Sequence, residues 1–118
     1  MEELDDAELR ELGDKLRELS ETLELALEGS REAAQVVSLD QPIGRLSRMD
    51  AIQQQKIAEA SRGQQQRRLG QVRVALAALE AGEYGVCRAC EEPIGMRRLS
   101  ARPESPFCLP CQARRERG

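Results

Sequence analysis

Cys87-Arg88-Ala89-Cys90 and, after seventeen further residues, Cys108-Leu109-Pro110-Cys111 hold all four cysteines of this 118-residue chain, and no histidine accompanies them. Each Cys-x-x-Cys pair presents two thiolates on one turn, and two such turns complete a tetrahedral four-sulfur cage. That is the arrangement of a structural zinc ion, so one structural Zn²⁺ on Cys87, Cys90, Cys108 and Cys111 is the expected cofactor. Four thiolates leave no open coordination position, and without histidine the commonest general base is missing as well. Both points argue against an enzyme. The alternative is a redox pair, but a redox motif ordinarily comes as one Cys-x-x-Cys in a βαβ setting, which this chain does not show.

Around the cysteines lies a short C-terminal unit, residues 82–118, whose main apolar content is Tyr84, Val86, Ile94, Leu99 and Phe107. A unit of this size rarely folds without a staple. Structural zinc is worth about 10–16 kcal/mol in finger peptides, enough to offset that deficit. Gly82 suits the C-cap of a preceding helix and Gly85 a tight turn into Cys87. After Cys111, the run Gln112-Ala-Arg-Arg-Glu-Arg117 reads as a short terminal helix.

Upstream, residues 1–81 read as an antiparallel two-helix coiled-coil hairpin with its turn at about 37–44. Leu9, Leu12, Leu16, Leu19, Leu23 and Ala26 recur at alternating steps of three and four, the seam of a coiled coil. Early acids favour the helix dipole, and Glu11 with Lys15 forms an i,i+4 pair, so a first helix is expected over about residues 4–36. Continued by the same steps the seam meets Ser30, and Gly29 costs about 1 kcal/mol of helix propensity against Ala. Pro42 and Gly44 mark the turn, with Asp40 suited to an N-cap. A second helix is expected over about Arg45–Ala81, roughly 55 Å at 1.5 Å per residue. Its seam is clear at Leu69, Val72, Leu76 and Leu79, whereas glutamines at 53–55 and 64–66 make the middle polar. Gly63 and Gly70, seven apart on one face, either allow a close helix approach or soften the rod. Pairing the two best seams sets Leu9–Leu19 against Leu69–Leu79, so the hairpin is mostly α, packed at its base and weak in its middle.

Composition agrees with a narrow seam rather than a thick core: one Tyr, one Phe, no Trp, and 33% charged residues. No apolar run reaches the roughly 18 residues of a membrane span, and the acidic start is no signal peptide, so no membrane partner and a cytoplasmic location are expected. Residues 1–40 carry 13 acids and 4 bases, and residues 41–118 carry 8 acids and 14 bases. The opposite halves either attract each other in the folded hairpin or leave the basic half for an acidic partner. Stacking aromatics and a solid basic block, the usual marks of nucleic-acid binding, are absent.

The C-terminal unit also resembles a known family. Gly82-Glu-Tyr84-Gly85-Val-Cys87-Arg-Ala-Cys90, Pro93-Ile94-Gly95, Arg98-Leu99-Ser-Ala101-Arg102-Pro103 and Cys108-Leu-Pro-Cys111 are similar to the DksA/TraR C4 zinc-finger signature. One departure is Glu91, where a glycine often follows the second cysteine. The resemblance implies a bacterial transcription regulator that binds RNA polymerase directly rather than a DNA sequence. It further implies a hairpin entering the secondary channel with acidic residues at its tip, often together with guanosine tetraphosphate. The best-studied members carry an Asp-x-x-Asp-x-Ala tip. Here Asp40-Gln-Pro-Ile-Gly-Arg-Leu46 places Ile43 at the second Asp, so Asp40 and Asp50 are the candidate tip residues. Otherwise Asp40 is a helix cap and Asp50 a solvated side chain. Arg97, Arg98, Arg102, Arg114, Arg115 and Arg117 are either a patch for an acidic polymerase rim or an anionic effector, or solvated charges and partners of the acidic first helix. A monomer is expected. The rival reading is a nucleic-acid-binding zinc ribbon with a dimerising coiled coil.

Overall fold

Asp5 opens the first helix through a reciprocal pair of hydrogen bonds. Its own N–H donates to Glu8 Oε1 at 3.0 Å, and the Glu8 N–H donates to Asp5 Oδ1 at 2.8 Å. This capping box satisfies two of the free donors at a helix start. The computed structural model describes residues 4–37 and 45–117, with side chains at 4–30 and 49–117. Four helices follow in order: α1 (Asp6–Val37), α2 (Arg45–Ala81), α3 (Met96–Ala101) and α4 (Leu109–Arg117). The described part extends 61 × 31 × 19 Å.

α1 and α2 lie antiparallel. Leu16, Leu23, Leu69, Val72 and Ala75 form the buried core between them, with Leu19, Leu27, Leu76 and Tyr84 packed at its margin. The seam read from the leucine spacing is therefore the buried one. It runs on to Leu27 and ends where polarity takes over: Arg62 Nη1 donates to the Leu27 carbonyl at 2.6 Å and to Ser30 Oγ at 2.7 Å. The Ser30 that interrupts the seam is thus an anchor for the opposite helix. α1 passes through Gly29 without a break, because its neighbours keep the helical ladder and nothing packs within 4 Å of that position.

Of the two readings open for Gly63 and Gly70, the close approach is not the one realised. A Cβ at Gly70 meets nothing within 4 Å, and one at Gly63 meets only the Arg67 side chain at 3.5 Å. The close approach is at buried Gly13, where a Cβ would stand 2.8 Å from Leu79 Cδ2. The Glu11–Lys15 pair is replaced, because Lys15 Nζ reaches the Ser100 carbonyl on α3 at 3.5 Å. Attraction between the acidic and basic halves leaves one ion pair between α1 and α2 among the described residues. It joins Arg73 Nη2 to Glu24 Oε2 at 3.4 Å, and both side chains are more than half exposed. Such a pair is worth well under about 1 kcal/mol, so apolar packing rather than charge closes the hairpin.

Gly82 leaves α2 in the left-handed region, with φ 75. Its N–H bonds the Leu79 carbonyl at 3.3 Å and the next N–H bonds the Ala78 carbonyl at 2.8 Å. This is the helix-ending geometry that glycine permits at least cost. No helix among the described residues is long and apolar enough to cross a membrane.

Candidate metal centre and its docking to the hairpin

The segment after Gly82 is built from two knuckles. At the first, the Glu91 N–H bonds the Cys87 carbonyl at 2.9 Å, and the Cys87 N–H bonds the Glu92 carbonyl at 2.8 Å. A single antiparallel bridge between Val86 and Pro93 closes its neck. At the second, Cys108 precedes α4 and Cys111 sits in its first turn, where the Gln112 N–H bonds the Cys108 carbonyl at 2.9 Å. The terminal helix therefore starts ahead of Cys111 rather than after it. Pro110 is compatible with that start, because first-turn N–H groups have no partner within the helix. A backbone bond from the Arg88 N–H to the Pro106 carbonyl at 2.9 Å ties the two knuckles together.

The four cysteines come together as the spacing predicts. All four Sγ atoms lie within 4.8 Å of one another, and the Cys90 and Cys108 sulfurs are 3.7 Å apart. A tetrahedral zinc with Zn–S of about 2.3 Å requires sulfurs about 3.8 Å apart, so the residues present fit the ion. Cys87 and Cys111 are buried, Cys108 is nearly so, and Cys90 is exposed. The protonation pattern points the same way. Burial alone would raise the Cys87 thiol, but hydrogen bonds from the backbone of Cys108, Cys90 and Ala89 bring it down to about 6. Cys90 is pushed up to about 12, against the lowering effect of the Glu92 backbone, by burial and the neighbouring thiols. Cys111 is also raised, first by its contact with Cys108. Thiols this close cannot all ionise unless a cation neutralises them, and a coordinated divalent metal does so.

Glu91 explains its own oddity. It is the one non-glycine with positive φ among the described residues, at 62. The left-handed conformation costs an L-residue about 1–2 kcal/mol, which is why glycine is the natural occupant of that place.

The knuckles are held to the hairpin base at four points. Leu4 packs on Gly85, whose absent side chain makes room: a Cβ there would lie 3.1 Å from Leu4 Cδ1, and φ is 94. Tyr84 fills the margin of the α1–α2 core and its hydroxyl donates to the Pro103 carbonyl at 2.8 Å. Burial, with the Glu104 carboxylate nearby, raises the Tyr84 phenol far above its ordinary value, so it remains a donor. Lys15 holds the end of α3, as described above. Arg68 Nε on α2 pairs with Glu104 Oε2 at 2.8 Å, and Glu104 is only 2% exposed. Sequence reading missed Leu4, Glu104 and all of α3, whose Leu99 is fully buried. Of the apolar residues expected to stabilise this unit, Val86 instead stands 44% exposed beside its bridge to Pro93.

The six arginines divide. Arg98 Nε donates to the Phe107 carbonyl at 2.9 Å, the Arg115 guanidinium stacks 4.4 Å from the Phe107 ring centre, and Arg114 Nη2 reaches Cys111 Sγ at 3.2 Å. These three brace the second knuckle. Arg97, Arg102 and Arg117 are exposed, and Arg117 Nε lies 3.4 Å from the Ala113 carbonyl of its own helix. Among the described residues none of the six pairs with the acidic first helix. Of the candidate tip residues, Asp50 is exposed on α2, and Asp40 lies outside the described residues.

Comparison with known proteins places this geometry. Residues 82–117 match the model of the prokaryotic dksA/traR C4-type zinc finger. The chain is 39% identical over 57 residues to the RNA polymerase-binding transcription factor DksA of Caulobacter vibrioides, covering 48% of this chain and 40% of that protein. It is 33% identical over 52 residues to the protein of the same name from Haemophilus influenzae, covering 44% and 36%. The matches thus span about two fifths of those relatives' length. The solved structure of the transcription factor DksA2 from Pseudomonas aeruginosa superposes with a TM-score of 0.78 at 26% identity, over 96% of this chain and 86% of that one.

Proposed function

Because the chain belongs to the DksA/TraR C4-type zinc-finger family, we propose that it is a transcription regulator acting by direct contact with RNA polymerase, and that Cys87, Cys90, Cys108 and Cys111 hold one structural Zn²⁺. The observation that carries this reading is the likeness to a solved transcription factor over nearly the whole chain, hairpin and cysteine unit together. The curated relatives it matches are named as RNA polymerase-binding transcription factors, which supports a regulator rather than an enzyme. In this function the zinc fixes the two knuckles, and the four docking contacts aim the long hairpin from that base. The hairpin enters the secondary channel of the polymerase, with Asp40 and Asp50 as its acidic tip residues and guanosine tetraphosphate as a co-effector.

Co-purification with core RNA polymerase tests this, with a transcript-cleavage factor that occupies the secondary channel as competitor. Binding that the competitor displaces is expected. No binding, or binding indifferent to the competitor, would sink the proposal. Asp40→Ala and Asp50→Ala then separate grip from action: regulation is lost while polymerase binding remains. A gel-shift series across salt concentrations covers the nucleic-acid reading, which requires an affinity falling steeply with salt.

A further inference from the structure

We propose that Arg114 is the side chain that stabilises the metal-bound sulfur of Cys111 and so sets how firmly this protein keeps its zinc. The inference rests on zinc occupying the four cysteines, and it goes beyond that occupancy by naming what offsets the charge of the site. A divalent ion with four thiolates carries a net charge of about −2. Three of the four ligands are withdrawn from water, with Cys87 at 0%, Cys111 at 4% and Cys108 at 9% exposure, and Cys90 alone is exposed. A buried charge without hydrogen-bond donors or a counter-charge is costly.

The donors to sulfur from outside the cysteine set, among the described residues, are the Ala89 N–H, 3.4 Å from Cys87 Sγ, the Glu92 backbone at Cys90, and Arg114 Nη2, 3.2 Å from Cys111 Sγ. Arg114 is the one that carries a charge. Its place follows from helix geometry, because it stands three residues after Cys111 on α4 and so on the same face. The neighbouring arginines have other tasks: Arg115 stacks on Phe107 and Arg117 leans on its own helix. A guanidinium on a coordinated thiolate withdraws electron density from the sulfur and makes it a poorer target for exchange. Removing a partner of this kind costs about 10–100-fold in metal affinity. The competing explanation is an ordinary exposed arginine whose contact with sulfur is incidental.

The test uses the full-length zinc-loaded protein. Metal content of the wild type comes first, and absence of stoichiometric zinc would overturn the zinc reading itself, whatever Arg114 does. Competition with a colorimetric chelator then compares wild type, Arg114→Ala and Arg117→Ala, the last removing a like charge from the same helix. Arg114→Ala is expected to give up zinc at about 10-fold lower chelator concentration, with Arg117→Ala matching wild type. In cobalt-substituted protein the thiolate-to-metal charge-transfer band of Arg114→Ala moves to lower energy, as loss of a donor to sulfur requires. Arg114→Gln, shorter and uncharged but of similar helix propensity, shows the same shift should alanine disturb α4. Equal zinc retention in all variants overturns the proposal. So does easier release with an unmoved charge-transfer band, because that outcome assigns Arg114 to helix docking alone.

Discussion

The base of the hairpin and its distal arm have the same secondary structure and opposite surroundings. At the base, Leu12, Leu16 and Val72 are fully buried, Leu79 closes on Gly13, and the cysteine unit adds four contacts. Along the described distal part of α2, residues 52–61 are all exposed, and among them Ile52 and Ile57 are at 52% and 69%. A helix in water draws most of its stability from packing one face, so the base carries the fold and the arm is carried by it. Large side chains left exposed on that arm contribute little to the stability of the isolated protein.

Stripping the zinc with a strong chelator should break the contrast most severely. The loss is on the order of 10 kcal/mol to the cysteine unit. Hydrogen exchange should show α3, α4 and both knuckles unprotected, with protection falling next at the base of α1 and α2. Retained protection in α4 would show that the unit does not depend on metal.

A pair of truncations measures the two regions against each other. Leu16→Ala, in the fully buried seam, should cost about 2–5 kcal/mol in urea unfolding. Ile57→Ala should fall within about 0.5 kcal/mol of wild type. Equal costs would mean that the arm is packed after all.

Glycine gives a finer comparison because the sign changes. Gly70→Ala should stabilise by about 0.5–1 kcal/mol, since helix propensity improves and the site is empty. Gly13→Ala gains the same propensity but drives a methyl to 2.8 Å from Leu79 Cδ2. Overpacking of that kind costs about 1–3 kcal/mol, so the net effect should be destabilising. The smallest change is in the knuckle: Glu91→Gly should stabilise by about 1 kcal/mol by relieving the positive φ, read as a higher midpoint in denaturant.

These contrasts also mark what the sequence could reveal. The leucine steps from Leu9 to Ala26 and the cysteine spacing were legible because each rule is periodic or local and needs no knowledge of a partner. Helix α2 likewise ends where Gly82 says it should. The capping box is written in the sequence as Asp5-x-x-Glu8 before Leu9, but among so many early acids the pair looks like charge near a dipole. Gly13 was not recognisable, because a glycine that admits a neighbouring leucine looks like any other glycine until the partner's register is known. Gly63 and Gly70 share a face by their spacing, and the register brings nothing of the first helix within 4 Å of a Cβ at either. Helix α3 and the burial of Glu104 escaped for a related reason. Six residues are too few to show periodicity, and a buried carboxylate is explained only by Arg68, 36 positions earlier.

Tyr84 stands at the seam between the two regions, with its ring against the hairpin core and its hydroxyl on the Pro103 carbonyl. As the sole tyrosine in a chain without tryptophan, it is also the only strong near-ultraviolet emitter. A phenol donating to a carbonyl is quenched, so loosening the cysteine unit until Tyr84 parts from Pro103 should brighten its emission. The protein thereby carries its own optical gauge of that unit's integrity, at one position and without any added label.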